Sequence, residues 1–231
     1  MSFRKLKKLG LLILCLGFRF ITAQQMITRE KTLLEDQFVT LRDHWLLETQ
    51  SASPAKVSVD SGRMIIDAGK DATVWLKQPL SGNLMIDCYR EVWMRKGAHD
   101  RLSDMNFFWM ASDPRNKNLF TRKGKFKEYD SLQLYYAGIG GNNNTTTRFR
   151  KYAGDGSKPI LQEYTDTAHL LQPNHRYHIQ ILIRNGKTEC RVDDAVWFSY
   201  TDPHPLQNGF FGFRTTKSRQ VISGFIIYRI P

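Results

Sequence analysis

Apolar and polar residues alternate along most of the chain, which is the pattern of half-buried β-strands. Alternating runs rich in Val, Ile, Trp and Tyr recur from about residue 38 onward, and turn signals such as DSGR and LSGN separate them. Asn185-Gly186 lies between two such runs and is a strong signal for a β-hairpin. Strands at this spacing predict an all-β fold of two packed antiparallel sheets, a sandwich or jelly roll.

Helical patterning is scarce. The segment MITREKTLLEDQF predicts either one short helix or a polar lead-in, and TAHLLQ predicts a single turn. The chain carries no repeat and no long linker. We therefore expect one β-rich domain over residues 35–231, preceded by a lead-in over residues 24–34.

The alternation also assigns side chains to faces, because successive side chains of a strand point to opposite sides. In QLYYAG, Leu134 and Tyr136 share one face, whereas Gln133 and Tyr135 share the other. The long run RYHIQILIRNG has one apolar face, formed by the following residues: Tyr177, Ile179, Ile181 and Ile183.

Residues 1–23 have the composition of a secretory signal. Four basic residues precede the apolar run LGLLILCLGF, and Ala23 offers a small residue at the cleavage point. The apolar run is too short to span a bilayer comfortably. We therefore expect a secreted or periplasmic protein with no stable membrane span after cleavage.

Export changes the charge of the protein but not its sign. The formal net charge is +12 for the full chain, and it falls to +7 when the five basic residues of 1–23 are removed. For an exported protein, a positive surface favours a polyanionic glycan as partner over nucleic acid. A basic surface that only keeps the protein soluble is the alternative.

Two cysteines, Cys88 and Cys190, remain after cleavage, and both lie in predicted strands. In an oxidising compartment they could pair, and the alternative is two separate buried thiols. No C-x-x-C motif or histidine cluster predicts a metal site. No cofactor is expected; calcium is compatible with such a fold, but no ligand loop is recognisable.

The first stretch with candidate chemistry is HDRLSDMNFFWMASDP. Arg101, Asp104 and Asn106 precede a cluster of rings that includes Trp109. Saccharide sites combine aromatic faces with planar amide and guanidinium groups, so these four residues are candidates for substrate binding. The alternative is an ion pair that closes a loop beside core aromatic residues.

The second stretch, YYAGIGGNNNTTTRFRKY, is rich in amide and guanidinium groups. Asn142 and Asn144 are candidates for binding hydroxyls, and Arg148 and Arg150 share one face of a strand, where they are candidates for binding carboxylates. A polar hairpin with solvated arginines is the alternative. In the later stretch GFFGFRTTKSR, Arg214 is a candidate for the edge of the site or for a structural ion pair.

The reaction class stays open between elimination and hydrolysis. Hydrolysis needs two placed carboxylates, but EYDSLQ has Gln133 where a third acid of a Glu-x-Asp-x-x-Glu motif would stand. Elimination from a uronate needs a cation or amide on the carboxylate and a group that removes a proton. For that chemistry we assign Arg148 and Arg150 to the carboxylate, with Gln133 in support, and Tyr135 as base or acid.

The stretches TVWLKQPLSGN, DRLSDMNFFWMASDP, YYAGIGGNNNTTTRFRKY, EYTDTAHLL and NGFFGFRTT resemble an exported Bacteroidetes family of unknown function. The resemblance covers about residues 35–230. It implies a concanavalin A-like lectin/glucanase jelly roll and an association with plant cell-wall polysaccharide, including pectin. It identifies no catalytic residue.

Three hypotheses follow. The chain is a secreted glycan-cleaving enzyme of lyase or hydrolase type, a non-catalytic module that binds a polysaccharide or oligosaccharide, or a structural or partner-binding domain of the cell envelope. The first two require the amide-rich turn, the paired arginines and the exposed rings to surround one hollow.

Overall fold

Two antiparallel β-sheets packed face to face form the structure, a computed structural model that describes residues 27–231. The predicted signal segment and the first three residues of the predicted lead-in lie outside the described residues. The strands are β1 Lys31–Asp36, β2 Trp45–Thr49, β3 Lys56–Asp60, β4 Arg63–Ala68, β5 Ala72–Leu76, β6 Leu80–Ser81, β7 Leu84–Trp93, β8 Met105–Ser112, β9 Gln133–Gly140, β10 Thr146–Ala153, β11 Ile160–Tyr164, β12 Arg176–Arg184, β13 Lys187–Val192, β14 Ala195–Thr201, β15 Asn208–Thr215 and β16 Ser218–Arg229.

The two sheets are named here by their strands. The back sheet has the order β14-β13-β12-β7-β16-β4-β3, and β1 pairs with the second half of β16. The front sheet has the order β11-β10-β9-β8-β15-β5-β2, and β6 pairs with β15. Short 3-10 turns at Phe126–Ser131 and Thr167–His169 interrupt the strands, the second at the turn predicted from TAHLLQ. The predicted sandwich is confirmed.

The helix proposed for the lead-in is wrong. Residues Lys31–Asp36 form β1, which pairs with β16 from Lys31↔Arg229 to Asp36↔Phe225. Apolar residues at 33 and 34 fit a helix turn as well as a strand, but here the edge of β16 offers backbone partners. The first strand therefore begins four residues before the predicted domain boundary at residue 35.

Rings and aliphatic side chains from both sheets fill the space between them. The predicted apolar face of β12 points into this core, as do the two cysteines of the described chain, Cys88 and Cys190. These cysteines are free, because β12 lies between the strands that carry them. Burial raises the pKa of Cys190 to about 12 and that of Cys88 further still. The structure therefore shows the second alternative, two separate buried thiols.

One guanidinium group joins the sheets from inside the core. Arg90 on β7 is fully buried, and its nitrogens donate to Gln220 Oε1 at 2.7 Å and to the carbonyls of Asn106 at 2.6 Å and Arg214 at 2.9 Å. The group also lies over the rings of Phe107 and Phe213, at 4.8 Å and 5.2 Å from their centres. Arg90 therefore connects the back sheet to the backbone of two front-sheet strands.

A second apolar cluster covers part of the outer face of the front sheet. Trp75, Phe108 and Leu134 point outward from their strands and pack under the segment 113–132. Buried Glu48 holds this segment in place: its carboxylate accepts hydrogen bonds from Trp75 Nε1 and Tyr129 Oη, both at 2.8 Å, and from the Arg122 amide at 2.9 Å. The front sheet therefore has apolar residues on both faces.

Candidate functional site

The Asn run forms a left-handed turn between β9 and β10. Gly140, Asn142, Asn143 and Asn144 have φ angles of 69°, 51°, 58° and 62°. Among residues with side chains, asparagine tolerates this conformation best, because its short amide bonds locally. Asn144 shows this role: its Oδ1 accepts from the Leu171 amide at 2.8 Å and its Nδ2 donates to the Leu171 carbonyl at 2.9 Å. The turn leaves Asn142 and Asn143 exposed at the open end of the front sheet.

Beside this turn lies a cavity of about 380 Å³ on the outer face of the front sheet, here called the Arg150 pocket. Its lining residues are Arg101, Ser103, Asp104, Phe126, Tyr136, Gly138, Gly141, Asn142, Asn143, Thr146, Arg148, Arg150, Tyr152, Lys158 and Thr216.

Three cations with different partners stand on one side of the Arg150 pocket. Arg148 Nε lies 2.7 Å from Glu163 Oε1, and Lys158 Nζ lies 2.5 Å from Asp130 Oδ1. Arg150 donates to the backbone carbonyl of Lys158 at 2.6 Å and forms no ion pair with a carboxylate of residues 27–231. Of these cations, Arg150 is therefore the one with a positive charge left for a ligand.

The floor of the pocket is the ring of Tyr136, which lies along its own strand. A Cβ atom at Gly138 would come within 2.1 Å of Tyr136 Oη, so this ring position requires glycine two residues on. The ring packs against Phe108, Phe126 and Tyr152 with centres 5.8–6.0 Å apart. Burial raises the pKa of Tyr136 far above its usual range, so its hydroxyl stays protonated and donates a hydrogen bond to Asn106 Oδ1.

The opposite wall is a hydrogen-bonded cluster around Asp104. Its carboxylate accepts from Arg101 at 2.8 Å, from Asn106 Nδ2 at 2.8 Å and from Thr216 Oγ1 at 2.9 Å. Burial raises the pKa of Asp104, and the hydrogen bond from Thr216 and the charge of Arg101 oppose that shift. Arg101 also donates to Asn143 Oδ1 at 3.0 Å, which ties the wall to the left-handed turn.

The structure gathers five of the residues selected from the sequence around this one pocket. They are Arg101, Asp104, Asn142, Arg148 and Arg150. Asn106 lies just beneath them, 1% exposed, and its Oδ1 accepts from the Tyr136 hydroxyl at 3.1 Å. The strands that carry QLYYAG and TRFRKY are neighbours, β9 and β10, with Arg150 opposite Tyr136.

Tyr135 and Trp109 do not face the pocket, and the expectation that they do is corrected. Both point into the space between the sheets, where they are 2% and 1% exposed and pack against each other. Tyr135 Oη donates to Asp202 at 2.5 Å, and Trp109 Nε1 donates to Thr188 at 3.0 Å. Tyr136, and not the predicted Tyr135, lines the pocket.

Gln133, Asn144 and Arg214 also lie outside the pocket lining. The amide of Gln133 donates to the Ala153 carbonyl at the far end of β9, and Asn144 is held by Leu171. Arg214 is fully buried and forms an ion pair with Asp71, which is the structural alternative named for it. Three residues therefore serve the fold at the positions where ligand contacts were predicted.

Several residues that line the pocket were not among the candidates selected from the sequence: Phe126, Asn143, Tyr152, Lys158 and Thr216. Tyr152 follows Arg148 and Arg150 at the same two-residue period, so the alternation alone could have placed it there. Lys158 and Phe126 come from connecting segments, and no periodic pattern places those.

Among residues 27–231 the structure contains neither a metal-binding cluster nor a membrane-spanning helix. From residue 27 to the C-terminus, no group of three His, Cys, Asp or Glu side chains is arranged to hold a metal ion. Within the same stretch no helix is long and apolar enough to cross a membrane.

Solved structures similar to this chain share its fold at low sequence identity. A protein of unknown function with a galectin-like fold from Bacillus subtilis is 15% identical, with a TM-score of 0.72 over 88% of this chain and 98% of that one. An endo-β-1,3-glucanase from Pyrococcus furiosus is 10% identical, with a TM-score of 0.63 over 87% and 95%. The carbohydrate-binding module CBM66 from Bacillus subtilis is 12% identical, with a TM-score of 0.56 over 80% and 95%. The predicted jelly roll of the lectin/glucanase type is thereby confirmed.

In sequence, no curated protein matches the chain. One family model does match, over residues 66–225, and its description is "domain of unknown function (DUF6250)". The matched range contains every residue of the Arg150 pocket.

Proposed function

The chain belongs to the DUF6250 family, and we propose that it binds an acidic polysaccharide or oligosaccharide in the Arg150 pocket. The observation that carries the proposal is Arg150 itself, a half-buried guanidinium without a carboxylate partner among residues 27–231. An Arg fork binds a carboxylate through two parallel hydrogen bonds, so a uronate is the ligand that completes this site.

The other pocket residues suit the remainder of a sugar. The exposed amides of Asn142 and Asn143 offer donors and acceptors to hydroxyl groups, and the rings of Phe126 and Tyr136 offer apolar surface to the C–H face of a pyranose. The volume of about 380 Å³ falls within the range of about 300–1,000 Å³ of small-ligand pockets. Lectin and glucanase folds among the similar structures support a glycan ligand.

We place this binding outside the cytoplasm, since residues 1–23 have the features of a secretory signal. Plant cell-wall pectin, a polymer of uronates, is the acidic polysaccharide that the sequence resemblance favours.

Replacing Arg150 with alanine is expected to weaken binding of trigalacturonate at least about tenfold, because the charge-assisted bonds to the carboxylate are lost. Isothermal titration calorimetry measures this loss. Arg184→Ala is the matched control, since Arg184 is exposed at the end of β12 and does not line the pocket. Equal binding by the Arg150 variant and the wild type, or equal wild-type binding of the acid and its methyl ester, would refute the proposal.

Elimination from a bound uronate is the second candidate, because the Tyr136 hydroxyl and the two arginines line one pocket. In this reaction a base takes the C5 proton, a C4–C5 double bond forms, and the C4–O bond breaks as the leaving oxygen gains a proton. The raised pKa of Tyr136 makes its hydroxyl a weak acid, and that hydroxyl already donates to Asn106 Oδ1. No histidine lines the pocket to act as base. Paired-acid hydrolysis lacks a second acid, since Asp104 is the one carboxylate in the described lining. Binding without cleavage is therefore supported best.

We accordingly expect no unsaturated product when the protein is incubated with polygalacturonate. Ultraviolet absorption of the C4–C5 double bond measures that product directly. Steady formation of the double bond by the wild type, with its loss in Tyr136→Phe and retained trigalacturonate binding, would make the protein a lyase.

A further inference from the structure

A second cavity, of about 430 Å³, lies on the other side of β9 from the Arg150 pocket. It is named here the hairpin pocket, because the β12–β13 hairpin at Asn185 and Gly186 forms one wall. The turn at residues 81–83 and the segment 205–208 form the others, and Tyr135 lies at its base. Tyr135 and Tyr136 thus point into two different cavities.

Hydrogen bonds between the walls fix the shape of the hairpin pocket. Asn83 and Asn185 bond to each other twice, from Asn83 Nδ2 to Asn185 Oδ1 at 3.1 Å and from the Asn185 amide to Asn83 Oδ1 at 3.0 Å. The Gly82 amide donates to the Gln207 carbonyl at 3.3 Å, which joins the other two walls. A pocket formed before the ligand arrives avoids the cost of ordering its loops.

The polar side chains of the hairpin pocket differ in whether they already form hydrogen bonds within the protein. Gln207 and Asn208 are exposed on the rim, and their side-chain amides bond to no residue of the part of the chain that the structure describes. Tyr135 Oη, in contrast, donates to Asp202 and accepts from the Leu206 amide. The rim therefore presents free amide donors and acceptors above a base that needs no partner.

The charge and the base of the hairpin pocket define the class of ligand. Its one charged lining residue, Lys187, forms an ion pair with Glu189, so no cation is left for an acid. Ile183, Leu206 and the Tyr135 ring give it an apolar base. Free amides over an apolar base suit a ligand with hydroxyl groups around an apolar C–H face.

We propose that the hairpin pocket is a second binding site, for a neutral saccharide of one or two sugar units. The volume fits that size, and the site differs from the Arg150 pocket in having no unpaired charge. This inference does not rest on the proposed function of the Arg150 pocket, since the two sites share no lining residue.

The test uses ¹H–¹⁵N spectra of the protein from residue 24 onward, titrated with the methyl glycosides of glucose, galactose, arabinose and xylose. At about 10 mM, above the millimolar Kd of a weak sugar site, at least one glycoside is expected to shift the side-chain amide signals of Gln207 and Asn208. The variant Gln207→Ala/Asn208→Ala is expected to weaken that binding at least about tenfold.

Controls separate this site from the other one. Gln172→Ala removes an exposed amide outside both pockets and is expected to leave the titration unchanged. Arg150→Ala is expected to leave it unchanged as well, whereas the rim variant should retain trigalacturonate binding. The inference is wrong if none of the glycosides moves the two rim signals, if N-acetylglycine amide moves them equally well, or if the rim variant binds the glycoside like the wild type.

Discussion

Replacing Arg90 with methionine is expected to lower the free energy of unfolding by roughly 3–5 kcal/mol, because three buried acceptors lose their donor. Methionine fills much of the space, but it donates to none of the three acceptors that Arg90 now serves. Gln220 Oε1 and the carbonyls of Asn106 and Arg214 would be left in a core that water does not reach. The shift in the urea midpoint at constant slope measures this loss.

A surface arginine provides the matched control for this prediction. Arg95 also lies over a ring, 4.3 Å from the centre of Trp93, and pairs with Glu91, but its side chain is 52% exposed. Arg95→Met is expected to change the free energy of unfolding by no more than about 1 kcal/mol, because an exposed ion pair contributes little. Arg90→Lys keeps the charge without the fork and should fall between the wild type and Arg90→Met. If Arg90→Met and Arg95→Met cost the same, Arg90 does not hold the sheets together.

Gly138→Ala is expected to abolish binding in the Arg150 pocket and to destabilise the fold by roughly 1–3 kcal/mol, the usual cost of overpacking. The added Cβ would lie 2.1 Å from Tyr136 Oη and 2.5 Å from Cζ, so the ring has to leave the pocket floor. Because Phe108 and Tyr152 block its other sides, the ring is displaced toward the ligand space. Calorimetry with trigalacturonate and urea unfolding measure the two effects.

Gly141 provides the control for this steric argument, since it lines the same pocket. A Cβ atom there would lie 3.2 Å from Thr146 Oγ1 as its nearest neighbour, so Gly141→Ala is expected to retain both binding and stability. Tyr136→Leu should relieve part of the clash, so the double variant Gly138→Ala/Tyr136→Leu should be more stable than the two single losses predict. Simple additivity of the two losses would show that the ring and the glycine are not in conflict.

Most strands followed from the sequence because their apolar and polar residues alternate with a period of two, whereas the order of the strands in the sheets did not. The face of β12 that enters the core and the shared face of Arg148 and Arg150 are consequences of this alternation. The β12–β13 hairpin follows from the Asn185-Gly186 turn signal. What alternation does not carry is which of two faces of a strand meets the other sheet. That choice depends on segments distant in the chain.

The exchange of Tyr135 and Tyr136 illustrates this limit. Both faces of β9 are apolar, because the segment 113–132 covers the outer one, so either tyrosine fits either face.

The Asn run illustrates another limit. Asparagine is suited both to binding a ligand and to a backbone with positive φ. Asn144 bonds to Leu171 and holds the turn, whereas Asn142 lines the pocket. The sequence of three asparagines therefore does not distinguish a structural role from a ligand-binding role.

The two buried thiols give the protein an internal probe of its own opening. A disulfide reagent reacts with the thiolate, and burial raises the pKa of Cys88 and Cys190 while excluding the reagent. If residues 1–23 are removed on export, these are the remaining cysteines of the chain. The rate of their modification then reports how often the sandwich separates, without an engineered label and under conditions where the protein stays folded.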